Sequence, residues 1–295
     1  MNKNNPRLVV GRAQLIGDQL CALPIARYFK KLYPQSHLIW PVAKKVSQIA
    51  PIYLNCPWID EIYVMDGQES WQSERDLAKL KSADYAMDVN PQHPDSRYPQ
   101  EFCIYSETWR MAGLNYGIWK SLTDDEKQPQ LTKWWNPLNK FPQDRKTIGI
   151  WPQAGYSREN KRNPSKQYWV KLINQLQQLK YDIVQFGAES DWEFSSTDTL
   201  CQVKRFNHLS LFDQIKLSLE CNLSIGTDSG SALVLGGYKA NFISLICIHW
   251  GNHNNPTALS TNNPNNFSFY SHNGTDDIDM DLVLAKIIEK IETKI

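Results

Sequence analysis

A chain of 295 residues holds one large domain or two ordinary ones and can bury a substantial core. Lys plus Arg nearly cancels Asp plus Glu, leaving a formal net charge of +1, so the charge balance does not ask for a nucleic-acid partner. No run approaches membrane-spanning length and the N-terminus has no long apolar core, so any membrane association is expected to be peripheral. The six cysteines include no C-x-x-C pair and several lie in apolar runs, which reads as reduced, buried thiols of a cytosolic protein. Three glycosylation sequons, at Asn222, Asn266 and Asn273, read as chance matches without a secretory signal. Lys30, Lys31, Lys44 and Lys45 are either a local basic patch or ordinary scattered surface lysines.

Short apolar runs alternate with amphipathic stretches, the pattern of an α/β fold with parallel sheets. In chain order, Leu8 to Val10 predicts a strand, Asp18 to Tyr33 a helix and His37 to Trp40 a second strand. Ile62 to Val64 and Tyr85 to Val89 predict further strands, with helical pattern around Trp71 to Leu80 and again from Glu101 to Ala112. Ser121 to Arg145 is polar, Pro-bearing and without period, and is the linker candidate. The alternation then restarts. Strands are expected at Ile148 to Trp151, Tyr181 to Phe186, Leu223 to Ile225 and Phe242 to Cys247. Helices are expected at Ser165 to Leu179, Ser210 to Glu220, after Ser231, and at Ile278 to Ile291. Asn252 to Asn273 reads as one long Asn- and Pro-rich loop. Two α/β halves joined by a linker make a cleft, and open α/β sheets bind ligands at the carboxyl ends of their strands.

Three strand-end loops carry candidate chemistry. Gly11 to Asp18 leads into the first helix. Asp18 is either a plain N-cap or a carboxylate placed as a general base. The loop lacks the spacing of a dinucleotide fingerprint. Trp151 to Arg162 carries hydroxyls, Ser157 among them, and the basic cluster Arg158, Lys161 and Arg162. A phosphate wants N–H donors, a hydroxyl and a cation converging on it, although a solvated basic loop explains the same charges. Gly226-Thr227-Asp228-Ser229-Gly230-Ser231 joins a strand to a helix. It is either a capped helix start or a phosphate site made of amides and the helix dipole. In a parallel sheet the second and third loops leave one edge and could share a pyrophosphate. His249, Trp250 and His253 follow the strand Phe242 to Cys247 and could stack on a base or bond a sugar. No third His or carboxylate lies near them for a metal. The acidic run Asp276 to Asp281 precedes the last helix, where the dipole explains it better than a metal-binding D-x-D does.

Together these segments resemble glycosyltransferase family 9, the bacterial heptosyltransferases and their relatives. Gly17-Asp18-Gln19-Leu20 with Leu23-Pro24 and Tyr33-Pro34 is similar to the family's N-terminal block. Ile148 to Ile150, Ser157 to Lys161, Pro164 and Tyr168-Trp169 are similar to its strand, donor-phosphate loop and helix. Leu209 to Leu211 and Thr227-Asp228-Ser229-Gly230 are similar to its C-terminal block. The resemblance implies a GT-B fold of two Rossmann-like domains facing a cleft. Residues 1–140 would bind the acceptor and 146–276 the nucleotide sugar, while 277–295 would form a helix packing back towards the first domain. It implies inverting, metal-independent transfer, with no cofactor, from a nucleotide diphosphate sugar to a saccharide or glycolipid, as in lipopolysaccharide synthesis. It also implies a cytoplasmic enzyme, peripheral at most at the inner face of the membrane. Asp18 matches the family's base. Ser157, Lys161, Thr227, Asp228, Ser229 and Gly230 match donor-phosphate and sugar positions, and His249 and Trp250 stand near the donor base or sugar.

Three departures surround the donor. Leu233 stands just past Asp-Ser-Gly, where the family usually carries His. Asn163 replaces a frequent Trp. Ile248 to Asn252 replaces a conserved turn, with His249 the candidate to stand in for the missing His. Two rival readings follow. One is a GT-B epimerase or hydrolase acting on sugar nucleotides. The other is a relative that binds a sugar nucleotide without catalysis.

Overall fold

The computed structural model describes residues 5–11, 16–68, 71, 73–88, 118, 121–123, 125–127, 129–142, 144–154, 163–227, 229–247 and 265–292; within them, the side chains of residues 18, 87 and 88 are not described. The chain divides into two compact units, Met1–Trp134 and Trp135–Ile295, and the division falls inside the polar stretch that sequence marks as the linker.

The first unit carries a four-stranded sheet in the order β3-β2-β1-β4, every pairing parallel. Its elements are β1 (Arg7–Gly11), α1 (Ile16–Leu32), β2 (His37–Val42), β3 (Glu61–Val64), α2 (Glu74–Lys81) and β4 (Tyr85–Asp88). Leu8, Val9 and Val10 are wholly buried, as expected for a strand covered on both faces. Helix α1 turns Leu20, Leu23, Ile25 and Phe29 inward, a stripe at helical spacing. A 3-10 helix, Lys44–Tyr53, follows β2 and buries Val46, Ile49, Ile52 and Tyr53. Sequence missed it because its apolar residues keep to no single period and Pro51 interrupts them.

Trp71 was expected in a helix, but α2 begins only at Glu74, capped by the Ser73 hydroxyl. Trp71 instead stacks on Tyr63 at 6.0 Å between centroids. Lys30 and Lys31, two of the candidates for a basic patch, are each paired locally, in line with ordinary surface lysines. Lys30 binds the Asp60 carboxylate and Lys31 that of Glu126. The helix expected from Glu101 to Ala112 lies outside the described residues.

The second unit carries a six-stranded parallel sheet in the order β10-β9-β8-β5-β6-β7. Its elements are β5 (Thr147–Trp151), α3 (Lys166–Gln178), β6 (Asp182–Gln185), β7 (Lys204–Arg205) and α4 (Leu211–Ser218). They continue with β8 (Leu223–Thr227), α5 (Gly230–Gly237), β9 (Phe242–Cys247), β10 (Asn266–Ser271) and α6 (Met280–Glu292). Ile148, Ile150, Leu223, Ile225 and Ile243 from the strands meet Trp169, Leu172 and Leu176 of α3 in one core. Val283, Ile287 and Ile291 of α6 are buried in the same core. Serine caps start α3, α4 and α5, with Ser165, Ser210 and Ser229 accepting from the amide three residues on.

Two corrections concern this unit. The stretch expected as one loop to Asn273 contains β10, which pairs with β9 over its whole length. Its pattern Asn266-Phe267-Ser268-Phe269 alternates as a strand does, but the surrounding Asn and Pro hide it. Cys201, expected to be buried, is exposed, whereas Cys21, Cys56 and Cys247 are buried.

Asp76 is a buried polar tie of the first unit. It is wholly buried and accepts from the Tyr63 hydroxyl at 2.9 Å and from the amides of Asp66 and Gly67 at 3.1 and 2.9 Å. Burial pushes its carboxyl pKa up, but the Asp66 and Gly67 amides with the Ser73 and Tyr63 hydroxyls outweigh this and hold it below its ordinary 3.8. A pKa depressed by folding adds stability that is present above 3.8 and is lost as pH falls through the folded value. Asp76→Ala leaves three donors without an acceptor and is expected to cost about 1–3 kcal/mol in urea unfolding at pH 7. Its deficit should shrink in acid.

Candidate functional site

In the second unit β5 is the middle of the sheet. The chain runs outward through β6 and β7, then returns to the other flank of β5 as β8. The strand order therefore reverses between β5 and β8, and such a crevice at the carboxyl ends is where α/β sheets place ligands. Trp151 and Gly226 stand opposite each other there. A Cβ on Gly226 would lie 2.7 Å from the Trp151 Cβ and 2.9 Å from its carbonyl oxygen, so only glycine lets the two strand ends approach this closely. Trp151 is pinned by its indole N–H to the Ser218 hydroxyl at 3.0 Å and by stacking on Phe186 at 5.2 Å.

Beyond Gly226, Thr227 is wholly buried and its hydroxyl oxygen has no hydrogen-bond partner among the described residues. A buried hydroxyl left unpaired costs free energy. Ser229 caps α5, and its hydroxyl lies 2.8 Å from that of Ser231. The first amides of a helix lack intrahelical acceptors and carry the positive end of its dipole, which suits an anion at Gly230 and Ser231. The rest of α5 is apolar, with Ala232 to Gly237 buried. Leu233 is 9% exposed, so the position where a His would be expected faces the core. Asp228 lies outside the described residues.

The loop after β5 contains Ser157 and Lys161, both outside the described residues, as are His249, Trp250 and His253. The two ends of that loop are nevertheless tied together. The Asn163 side chain accepts from the Ala154 amide at 2.7 Å, and the Trp169 indole donates to the Pro152 carbonyl at 3.1 Å. Asn163, a departure from the family's Trp, is thus a staple across the loop mouth, a role sequence did not foresee. Asp276 accepts from the Ser165 amide at 2.6 Å, and Asp279 from the Asp281 amide at 2.9 Å. Asp279 thus serves the start of α6, as the dipole reading expects, while Asp276 serves that of α3.

On the other flank of β5, the loop after β6 is held by Gln214, which accepts from the Gly187 amide at 2.7 Å. Gln153 accepts from the Trp192 amide at 2.8 Å, linking this loop to the one after β5. Burial pushes the Asp191 carboxyl up to about 6, against the Ala188 amide and the Arg205 charge.

In the first unit the order reverses between β1 and β4, with Gly11 opposite Asp88. Gly11 has φ +154° and packs on Trp40 and Pro41, where a Cβ would lie 3.2 and 3.0 Å from their rings. Gly17 and Asp18 lie in the first turn of α1, which begins at Ile16, so Asp18 is the third helical residue and not the N-cap. Gln19, which sequence did not single out, is wholly buried and accepts from the Tyr53 hydroxyl at 3.0 Å. Among the described residues no group of His, Cys, Asp and Glu is placed to hold a metal, and no helix is long and apolar enough to cross a membrane.

No family model matches the sequence, and no curated protein matches it. Solved structures do. The crystal structure of a family 9 glycosyl transferase from Veillonella parvula superposes with a TM-score of 0.73 at 15% identity, over 99% of this chain and 100% of that one. The ADP-heptose lipopolysaccharide heptosyltransferase II of E. coli gives 0.68 at 16%, over 98% and 99%. The dodecameric, iron-containing glycosyltransferase TibC of enterotoxigenic E. coli gives 0.61 at 14%, over 95% of this chain and 66% of that one. The fold is therefore that of the GT-B heptosyltransferases, as the sequence resemblance implies.

Two substitutions test this geometry. Gly226→Ala forces Trp151 or its strand to shift and is expected to cost about 1–3 kcal/mol in chemical unfolding. For Asp191 the folded pKa lies above the unfolded one, so stability falls as pH climbs from 3.8 to about 6. Asp191→Asn removes that penalty. Its melting temperature is expected to exceed the wild type's at pH 8 and to match it near pH 4.

Proposed function

We propose that this protein is an inverting, metal-independent glycosyltransferase. In this reading it moves a sugar, a heptose or a related hexose, from a nucleotide diphosphate sugar to a saccharide or glycolipid of the cell surface. The observation that carries the reading is the β5–β8 crevice, where a buried Thr227 hydroxyl, unpaired among the described residues, lies beside the amide-rich start of α5. The similarity in fold to the E. coli ADP-heptose enzyme supports an ADP-sugar donor. The proposal assigns residues 1–140 to the acceptor half, 146–276 to the donor half and 277–295 to a helix that packs back towards the first half. It places the protein in the cytoplasm, at most peripheral to the membrane.

The chemistry follows from the groups. Amides of Gly230 and Ser231, the Ser229 and Thr227 hydroxyls, Ser157 and the Lys161 ammonium take the charge that grows on the leaving diphosphate. Such preorganised donors are worth most where they do not have to reorient. Lys161 supplies the cation that a metal supplies elsewhere. Asp228 stands beside the donor sugar, and His249 and Trp250 contact its base or sugar. Asp18 takes the proton of the acceptor hydroxyl as its oxygen bonds to C1. The C1–O bond to phosphate breaks, the nucleoside diphosphate leaves, and the configuration at C1 inverts. An ordinary carboxylate suffices, because the hydroxyl becomes acidic only as the new bond forms.

Burial of Leu233 favours a second reading, in which the protein binds a sugar nucleotide and does not turn it over. A thermal-shift screen across ADP, GDP, UDP and dTDP sugars finds the donor, since a ligand of the native state alone raises apparent stability. With that donor, Asp18→Asn is expected to keep its binding shift and lose about 10²–10⁴-fold in transfer. Full turnover in this variant sinks the assignment of Asp18. Transfer is expected to survive a chelator, and loss of activity in EDTA that metal restores would reject metal independence.

A further inference from the structure

We infer that the buried Tyr53–Gln19 hydrogen bond is a positioning device for the first turn of α1, and through it for Asp18. The inference rests on the reading of Asp18 as the base. Gln19 is the residue after Asp18, in a helix whose next positions, Leu20 to Leu23, are buried and apolar or small. An amide in that setting costs free energy that a leucine would not, unless it is hydrogen-bonded. The Tyr53 hydroxyl supplies that bond at 3.0 Å.

The donor is itself held in place. Tyr53 is 1% exposed, and its ring packs on Trp40 at 5.5 Å between centroids. Trp40 is wholly buried and lies against Gly11, the last residue of β1. A continuous line of contacts therefore runs from Gly11 through Trp40 and Tyr53 to Gln19. It joins the carboxyl end of β1 to the start of α1, on either side of residues 12–15. Apolar burial has no direction and lets a helix turn or slide. A hydrogen bond between two buried groups fixes one rotation and one depth. Because Asp18 and Gln19 are adjacent, the bond that sets Gln19 sets the backbone of Asp18.

The test uses the full chain and three variants. Tyr53→Phe keeps the ring on Trp40 and removes the hydroxyl. Tyr53→Phe with Gln19→Leu replaces both partners by apolar groups, which restores much of the lost stability. Asp18→Asn assigns the Asp18 signal in a carboxyl carbon-13 titration. A carboxylate at a well-formed helix start is favoured by the dipole. Loosening the turn is therefore expected to raise the Asp18 midpoint by roughly 0.3–0.7 unit in both Tyr53 variants. The Asp60 midpoint serves as control and should not move. An Asp18 midpoint unchanged in both variants overturns the proposal. So does one that returns to wild type in the double variant along with stability, since the bond would then serve stability alone. Because this readout needs no turnover, its failure is distinct from failure of the glycosyl-transfer reading, which Asp18→Asn decides by activity.

Discussion

The second unit depends on one close approach. Where β5 and β8 end side by side, Gly226 lies against Trp151 with no room for a Cβ. That contact brings the loop after β5 and the start of α5 to the same point of the sheet edge. Everything assigned to the donor hangs from it. Trp151 is held by stacking on Phe186 and by its hydrogen bond to Ser218. The proposed anion site is then largely backbone. Helix amides and short hydroxyls are set by strand register and by the Ser229 cap, and they need no long side chain to find its place.

The first unit solves a similar problem differently. Its reversal point lies between β1 and β4, and the ends of the segment between β1 and α1 are joined through Trp40 and Tyr53 to Gln19. Asp76 fixes the turn after β3 by accepting from two backbone amides and a hydroxyl. Buried polar groups are costly, and here they are spent at the carboxyl edge of the sheet, where position matters. The surface charges do humbler work. Lys30 and Lys31 are paired locally, and exposed pairs of this kind contribute little.

The alternating pattern was legible because the strands of a parallel sheet are buried on both faces and read as apolar runs. Leu223 to Ile225 and Phe242 to Cys247 were found for that reason, and the start of α5 was found because Asp and Ser before an apolar run read as a helix cap. Strand β10 was not, because Asn and Pro around Phe267 and Phe269 outweighed a short alternation on an edge strand. Strand β7 is two residues long, too short for any period. The Gln19–Tyr53 bond and the Asn163 staple were invisible for another reason. Each joins residues that only the fold brings together, and nothing in their type announces a partner. Exposure of Cys201 was hidden in the same way, since a cysteine reads as buried until its neighbours are known.

The central claim is that the crevice between β5 and β8 holds the diphosphate of a sugar nucleotide. Hydrogen–deuterium exchange of the full chain with saturating ADP, and in parallel with GDP, UDP and dTDP, tests it most directly. At least one nucleotide is expected to slow exchange in peptides covering Thr227 to Leu233 and the loop after Trp151, while the β2 and β3 region is unchanged. Protection confined to residues 1–134, or protection by none of the four, would contradict the account.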